Sequence, residues 1–270
     1  MSTVNRSFIW YELMTTDAEA ATRFYGHVLG WSARPAGVPG IDYTLLSIDG
    51  RDVGGLFSMP AHGCDGGEAP GDMRPCWLGY IASPDVDEDA RRIAAAGGRV
   101  LKEPTDIPGV GRFAVVADLH GAVFQIMRGI TEQEFTPVPE WTPGHVGWHE
   151  LSAGDGPAAW QWYSKLFGWT EQDVMDMGPN GVYRIFATGR GACGGMLTKM
   201  PDLPVPMWLF YFCVKDVDAA IERAKTGGGT LLMGPHEVPG GAWIATFLDP
   251  QGAAFAVVGG RAGAAGCDPA

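Results

Sequence analysis

The sequence predicts an α+β protein built as two tandem halves, each of two β-α-β-β-β modules. Three observations carry this. A block of residues recurs at a fixed displacement. Trp10-Tyr11-Glu12-Leu13, Asp17, Phe24-Tyr25 and Leu29-Gly30-Trp31 return 138 positions later as Trp148-His149-Glu150-Leu151, Asp155, Trp162-Tyr163 and Phe167-Gly168-Trp169. Within each half, apolar spacing switches between the period of a strand and that of a helix. With 40 Gly and 20 Pro in 270 residues, the composition favours tight turns between strands over a helical bundle.

The repeat continues along the chain. Gly54-Gly55 matches Gly194-Gly195 at a displacement of 140. Trp77 then matches Trp208, Asp85-Val86-Asp87 matches Asp216-Val217-Asp218, and Gly97-Gly98 matches Gly227-Gly228. Pro108, Asp118, Gly121 and Phe124 match Pro239, Asp249, Gly252 and Phe255, at a displacement of 131. The fall from 140 to 131 gives the first half nine extra residues, placed in the acidic, Gly/Pro-rich segment Pro60 to Arg74.

Taken in order, Phe8 to Met14 reads as a strand rich in aromatic residues, and Asp17 caps the helix that follows. Ala21, Phe24, Tyr25, Val28 and Leu29 fall at i, i+3, i+4, i+7 and i+8, one helical face, and Gly30 suits the left-handed C′ position. Ala159, Trp162, Tyr163, Leu166, Phe167 and Gly168 repeat the pattern. A further helix from Asp85 buries Val86, Ala90 and Ile93; its counterpart buries Val217, Ile221 and Ala224. Each half closes on two strands. Arg112–Ala117 and Ala122–Met127 meet at Asp118-Leu119-His120-Gly121; Ala242–Leu248 and Ala253–Val258 meet at Asp249-Pro250-Gln251-Gly252. The halves are therefore expected at 7–128 and 145–258, with a Pro-containing linker at 129–144 and a disordered Gly/Ala-rich tail at 259–270.

A net charge of −12 repels phosphate backbones and anionic lipid, which argues against nucleic-acid and membrane partners. The N-terminus lacks the apolar stretch of a signal peptide, and Trp208 to Val214, the longest apolar run, is too short to span a bilayer. A cytoplasmic location is expected. The five cysteines are an odd number with no C-x-x-C, which fits reduced thiols.

The module order and local motifs resemble the vicinal-oxygen-chelate superfamily, the group of glyoxalases, bleomycin-resistance proteins and extradiol dioxygenases. Phe24-Tyr25 to Leu29-Gly30-Trp31, and Trp162-Tyr163 to Phe167-Gly168-Trp169, match its helix-ending motif. Asp249-Pro250-Gln251-Gly252 matches its Asp-Pro-x-Gly turn; Asp118-Leu119-His120-Gly121 departs from it slightly. The resemblance implies a curved mixed sheet around a ligand cup in each half. In metal-dependent members, a His or Gln on the first strand and a Glu on the last hold a divalent ion that polarises substrate oxygens. Here those positions fall on Trp10 and Trp148, on Trp77 or Leu78 and Trp208 or Leu209, and on Gln125 and Ala256. An indole N–H only donates and cannot ligate a cation. No metal site and no cofactor are therefore expected, with a divalent ion on unconventional ligands as the alternative.

Glu12 and Glu150 lie two positions after Trp10 and Trp148 and share that strand face, which the resemblance turns into the cup. Each is a candidate ligand-binding group or general base, or else a carboxylate held structurally by a neighbour. Arg128 and Tyr43 are the expected partners in the first half, and Arg184 in the second. The candidate ligand-binding set is Trp10, Glu12, Trp77, Gln125, Trp148, Glu150 and Trp208; core packing is the alternative for the tryptophans. His149 is expected on the opposite strand face as a buried, hydrogen-bonded histidine. His62, Cys64, Asp65, Glu68 and Asp72 fit no metal-finger spacing. Gly189 to Gly194 matches G-x-G-x-x-G, but no helix follows, so a hairpin turn is expected.

These readings point to a small-molecule-binding protein, monomer or homodimer, taking an apolar or aromatic molecule in one or both cups. An enzyme of the same superfamily (lyase, isomerase or dioxygenase) with Glu12 or Glu150 as base, or an interaction module without a ligand, are the alternatives.

Overall fold

A computed structural model describes residues 6–38, 40, 42–59, 74–130, 138–189 and 191–261. The first half contributes β1 (Phe8–Thr15), α1 (Ala18–Leu29), β2 (Ser32–Pro35), β3 (Tyr43–Ile48) and β4 (Arg51–Ser58). It continues with β5 (Cys76–Ala82), α2 (Val86–Ala95), β6 (Arg99–Ile107), β7 (Gly111–Ala117) and β8 (Val123–Gly129). The second half repeats the order. It runs through β9 (Val146–Ala153), α3 (Gly156–Phe167), β10 (Thr170–Asp176), β11 (Val182–Ala187) and β12 (Ala192–Thr198). It ends with β13 (Met207–Val214), α4 (Val217–Thr226), β14 (Thr230–Glu237), β15 (Trp243–Leu248) and β16 (Ala254–Gly259). Two eight-stranded mixed sheets result, ordered β2-β3-β4-β1-β5-β8-β7-β6 and β10-β11-β12-β9-β13-β16-β15-β14. In each, the first strand of a module runs parallel to its last (β1 with β4, β5 with β8, β9 with β12, β13 with β16), and the remaining neighbours within each module pair antiparallel. The α+β architecture read from the repeat is thus the one observed.

The helices form where caps and periodicity dictate. Asp17 accepts from the amide of Ala20 at 2.9 Å and Asp155 from that of Ala158, satisfying otherwise orphaned N-terminal donors. Gly30 and Gly168 take φ of 78° and 71° at the C-caps, a conformation that disfavours any residue with a Cβ. The buried face of α1 is Ala21, Phe24, Tyr25, Val28 and Leu29, as its spacing predicts. At the closing hairpins, one oxygen of Asp118 accepts from the amides of His120 and Ala122, and Asp249 does the same for Gln251 and Ala253. The G-x-G-x-x-G segment joins the antiparallel pair β11 and β12, and no helix follows it.

Packing divides the chain differently from its sheets. One compact unit comprises Met1–Trp10, Leu78–Pro137 and Trp148–Leu209; the other comprises Tyr11–Trp77, Val138–Gly147 and Phe210–Ala270. Each unit therefore joins one module of the first half to one of the second. The linker separates the sheets, but it does not separate the packed cores.

In the first unit, Phe124 of β8 packs on Trp162, Tyr163 and Phe167 of α3. The Trp162 indole donates to the carbonyl of Ala96 at 3.0 Å, and Arg92 of α2 donates to the carbonyl of Leu166. In the second unit, Phe24 and Tyr25 of α1 pack on Phe255 of β16, and Trp31 on Phe212 of β13. Arg223 of α4 donates to the carbonyl of Val28, and the Trp31 indole to that of Gly144. Segments 60–73, 131–137 and 262–270, which hold most of the inserted loop, part of the linker and most of the tail, lie outside the described residues.

Candidate functional site

The central strands of the two halves carry different burial on their two faces. On β9, His149, Leu151 and Ala153 are buried, while Trp148, Glu150 and Ser152 are half-buried. On β1, Leu13 and Thr15 are buried, while Trp10, Glu12 and Met14 are half-buried. Glu12 and Glu150 thus lie on the less buried face, the side away from the packed core.

In the first unit, Glu150 belongs to a hydrogen-bonded chain. The Trp148 indole N–H donates to the Tyr183 hydroxyl at 2.8 Å, and that hydroxyl donates to Glu150 at 3.1 Å. Burial, followed by the charge of Glu150, pushes the ionisation of the Tyr183 phenol well up, so the group stays a proton donor. A glycine makes room for it. Gly195 is in register with Glu150, and a Cβ there would collide with the Tyr183 ring. The phenol lies flat on bare backbone beside the carboxylate.

The second unit repeats the device. Glu12 is in register with Gly55, and a Cβ on Gly55 would collide with the Tyr43 ring and hydroxyl. Cys76 lies near enough to Glu12 for the carboxylate to act on it. Burial first, and then that charge, raise the thiol to about 11 and keep it protonated.

Arg184, offered by the sequence as a partner for Glu150, is engaged elsewhere. Strand alternation turns it to the opposite face, where it pairs with Glu171 and lies over Trp160. Arg128 donates to the carbonyl of Pro84. The sequence signal for Tyr183 is the displacement of 140 that aligns the glycine pairs, which carries Tyr43 onto it.

The tryptophan candidates divide. Trp77 and Trp208 are only 4% and 3% exposed and lie in the cores. The Trp77 indole donates to the Tyr25 hydroxyl at 2.8 Å, which donates to Asp249 at 3.0 Å. Trp208 donates to Tyr163 at 3.2 Å, and Tyr163 to Asp118 at 3.4 Å. Each helix-ending tyrosine and the Asp turn of the other half are therefore the two ends of one buried clasp, with the tryptophan as third member. Gln125 is buried in β8, in register with Tyr80 of β5 and Val115 of β7. His149 stacks on Phe8 and shares a hydrogen bond with the carbonyl of Cys193 at 2.7 Å; burial lowers its pKa to about 4, so it is neutral.

The donor set does not fit the divalent ion of the metal-dependent relatives. The Trp148 N–H is already donating, and Ala256 presents a methyl in register with Tyr211. Asp118 and Asp249 are occupied by turn amides and tyrosine. Among the described residues, no three His, Cys, Asp or Glu side chains gather as a metal-binding group.

Comparison with known proteins bears on the family and the fold. The model of the Glyoxalase/Bleomycin resistance protein/Dioxygenase superfamily matches residues 7–126 and 142–257. The anthracycline biosynthesis protein DnrV of Streptomyces peucetius is 35% identical over 258 residues, covering 92% of this chain and 91% of its own. CFP32 of Mycobacterium bovis is 32% identical over 252 residues, covering 92% and 93%. The fold is similar to that of the Mn(II)-bound glyoxalase from Novosphingobium aromaticivorans, with a TM-score of 0.65 at 16% identity, covering 96% of this chain and 83% of that one. No helix among the described residues is long and apolar enough to cross a membrane.

Proposed function

The chain belongs to the Glyoxalase/Bleomycin resistance protein/Dioxygenase superfamily, and from that premise we propose that it binds a small apolar or aromatic molecule without a divalent metal. The observation that carries this reading is the Trp148–Tyr183–Glu150 chain. Its Trp148 falls at the first-strand position where metal-dependent members of the superfamily place a ligand, and an indole N–H cannot serve as one. Two aromatic side chains supply apolar area, and the carboxylate supplies one oriented polar contact, the usual make-up of a small-molecule site. The Glu12, Tyr43 and Gly55 arrangement gives the first half the same elements.

The test joins a thermal-shift screen of small aromatic compounds to elemental analysis of untagged protein. The expected result is a ligand that raises the melting temperature with no stoichiometric transition metal present. Glu150→Gln and Glu12→Gln should weaken that shift while moving the ligand-free melting temperature little. One Zn, Ni, Fe or Mn per half, removable by chelator with loss of turnover, would sink the reading. It would favour an enzyme with unconventional ligands instead.

A further inference from the structure

In the core of the first unit, aromatic rings cover one another: Tyr163, Trp169, Phe186 and Trp208 pack together. Tyr183 does not join them. Among the described residues no aromatic ring packs on it, and it stays half-buried on the less buried face of its sheet. Its ring is nevertheless fixed. One face rests on the backbone of Gly195, where a Cβ would collide with it. The hydroxyl is held by the Trp148 indole at 2.8 Å and by Glu150 at 3.1 Å, which stops the ring from swinging away. Ile185, in register with Gly195 on the same face and also half-buried, borders it. The ring is thus a flat plate, one side on backbone and the other turned away from the sheet. A plate held this way loses no rotamer freedom when something stacks on it. Resting on the proposed binding function, we infer that Tyr183 is the stacking surface of the site and that the ligand carries a flat aromatic ring system laid face to face on it.

Shape decides between ligand classes. A flat ring system on a flat plate keeps its atoms at contact distance, and offset-stacked rings gain beyond the area they bury. A puckered alicyclic body of the same skeleton touches the plate through a few hydrogens and brings no π face. A flexible aliphatic chain would also give up its own rotamer freedom on binding. Glu150 acts here by holding the phenol in place. Tyr43 repeats the arrangement in the second unit: it is half-buried and lies over Gly55, with Leu45 in register with that glycine. Two stacking plates per chain are therefore expected.

Two probes with one carbon skeleton and one hydroxyl separate flat from puckered: 2-naphthol and decahydro-2-naphthol. Binding to the full chain is read by calorimetry at neutral pH. The tyrosine ring protons are followed by NMR, with Tyr183 assigned through Tyr183→Phe. Naphthol is expected to bind about fivefold more tightly, although apolar area alone favours the bulkier decahydronaphthol. Naphthol should move the Tyr183 ring signals upfield, as a ring stacked above them does, and decahydronaphthol should not. In the double variant Tyr43→Leu with Tyr183→Leu, the advantage of naphthol should vanish while the affinity for decahydronaphthol holds. Equal binding of the two probes, or tighter binding of decahydronaphthol, overturns the inference but leaves a small-molecule binder standing. Naphthol binding that leaves the Tyr183 signals in place, an advantage that survives the double variant, or no binding of naphthol also overturns it. The NMR measurement uses the unaltered chain, so it decides the matter even where the leucine variant fails to fold. The broader reading is judged separately by the thermal-shift screen.

Discussion

Replacing Tyr25 by Phe removes one oxygen from the buried clasp of the second unit and breaks two hydrogen bonds. The Trp77 indole N–H loses its acceptor at 2.8 Å, and Asp249 loses a donor at 3.0 Å. Tyr25 is fully buried and Trp77 nearly so, which leaves water no easy route to the stranded N–H. A buried unsatisfied donor costs about 1–3 kcal/mol, and a bond to a charged acceptor is worth about 1.5–3. Asp249 keeps the amides of Gln251 and Ala253, which softens its share. The expected loss is about 3 kcal/mol in urea unfolding followed by tryptophan fluorescence. Tyr163→Phe in the other unit should cost less, about 2 kcal/mol, because its bonds are longer at 3.2 and 3.4 Å. The pH dependence has a definite sign. Burial already raises the Asp249 pKa, and Tyr25's hydrogen bond lowers it. Without that bond the folded pKa rises further. The native state then holds its proton to higher pH than the unfolded chain, so stability falls as pH rises through that window. The deficit should therefore be larger at neutral pH than in acid. A loss below about 1 kcal/mol, or a larger loss for Tyr163→Phe than for Tyr25→Phe, refutes this account of the clasp.

Two further outcomes follow from the packing. His149 is neutral in the fold, with its pKa lowered from 6.5 to about 4 by burial. The unfolded chain binds that proton first, so stability should fall by about 3 kcal/mol as pH drops across this interval and then level off. His149→Gln should flatten that limb in a melting-temperature titration, and an unchanged slope assigns it to other groups. Residues 7–128 expressed alone keep Trp31 and Tyr25 but lose Phe212 and Phe255, against which those rings pack. Ultracentrifugation with circular dichroism should find no stable folded monomer; a monomer with cooperative unfolding contradicts the shared-core arrangement.

Much of the fold was legible because its signals are local. The face Ala21, Phe24, Tyr25, Val28 and Leu29, the Asp17 cap and the Gly30 terminus each depend on neighbours within a few residues. The clasp was not legible. Tyr25 and Asp249 each sit in a motif visible alone, but their meeting depends on which modules pack together, and periodicity carries no information about that. Strand alternation puts Glu150 on the face of Trp148, whereas the choice of Arg184 as its partner rests on charge alone, which carries no information about facing. Alternation along β11 sends Tyr183 and Arg184 to opposite faces, and the bare backbone of Gly195 is what lets a ring lie there. Trp77 and Trp208 looked suited to stacking on a ligand because indoles are, but tertiary packing decides whether an indole faces solvent or core.

The bond from Tyr25 to Asp249 spans 224 positions. On the ribosome, at about 5–20 residues per second, the partner that completes the first helix's core emerges on the order of ten to forty seconds after that helix does. During this interval the apolar stripe of α1 has no permanent companion. The nascent chain is then a natural client for a holding chaperone, and two nascent chains on one messenger have time to exchange modules with each other. Slower translation of the second half would lengthen that exposure, and the yield of folded protein should follow the speed of the ribosome as well as the stability of the finished chain.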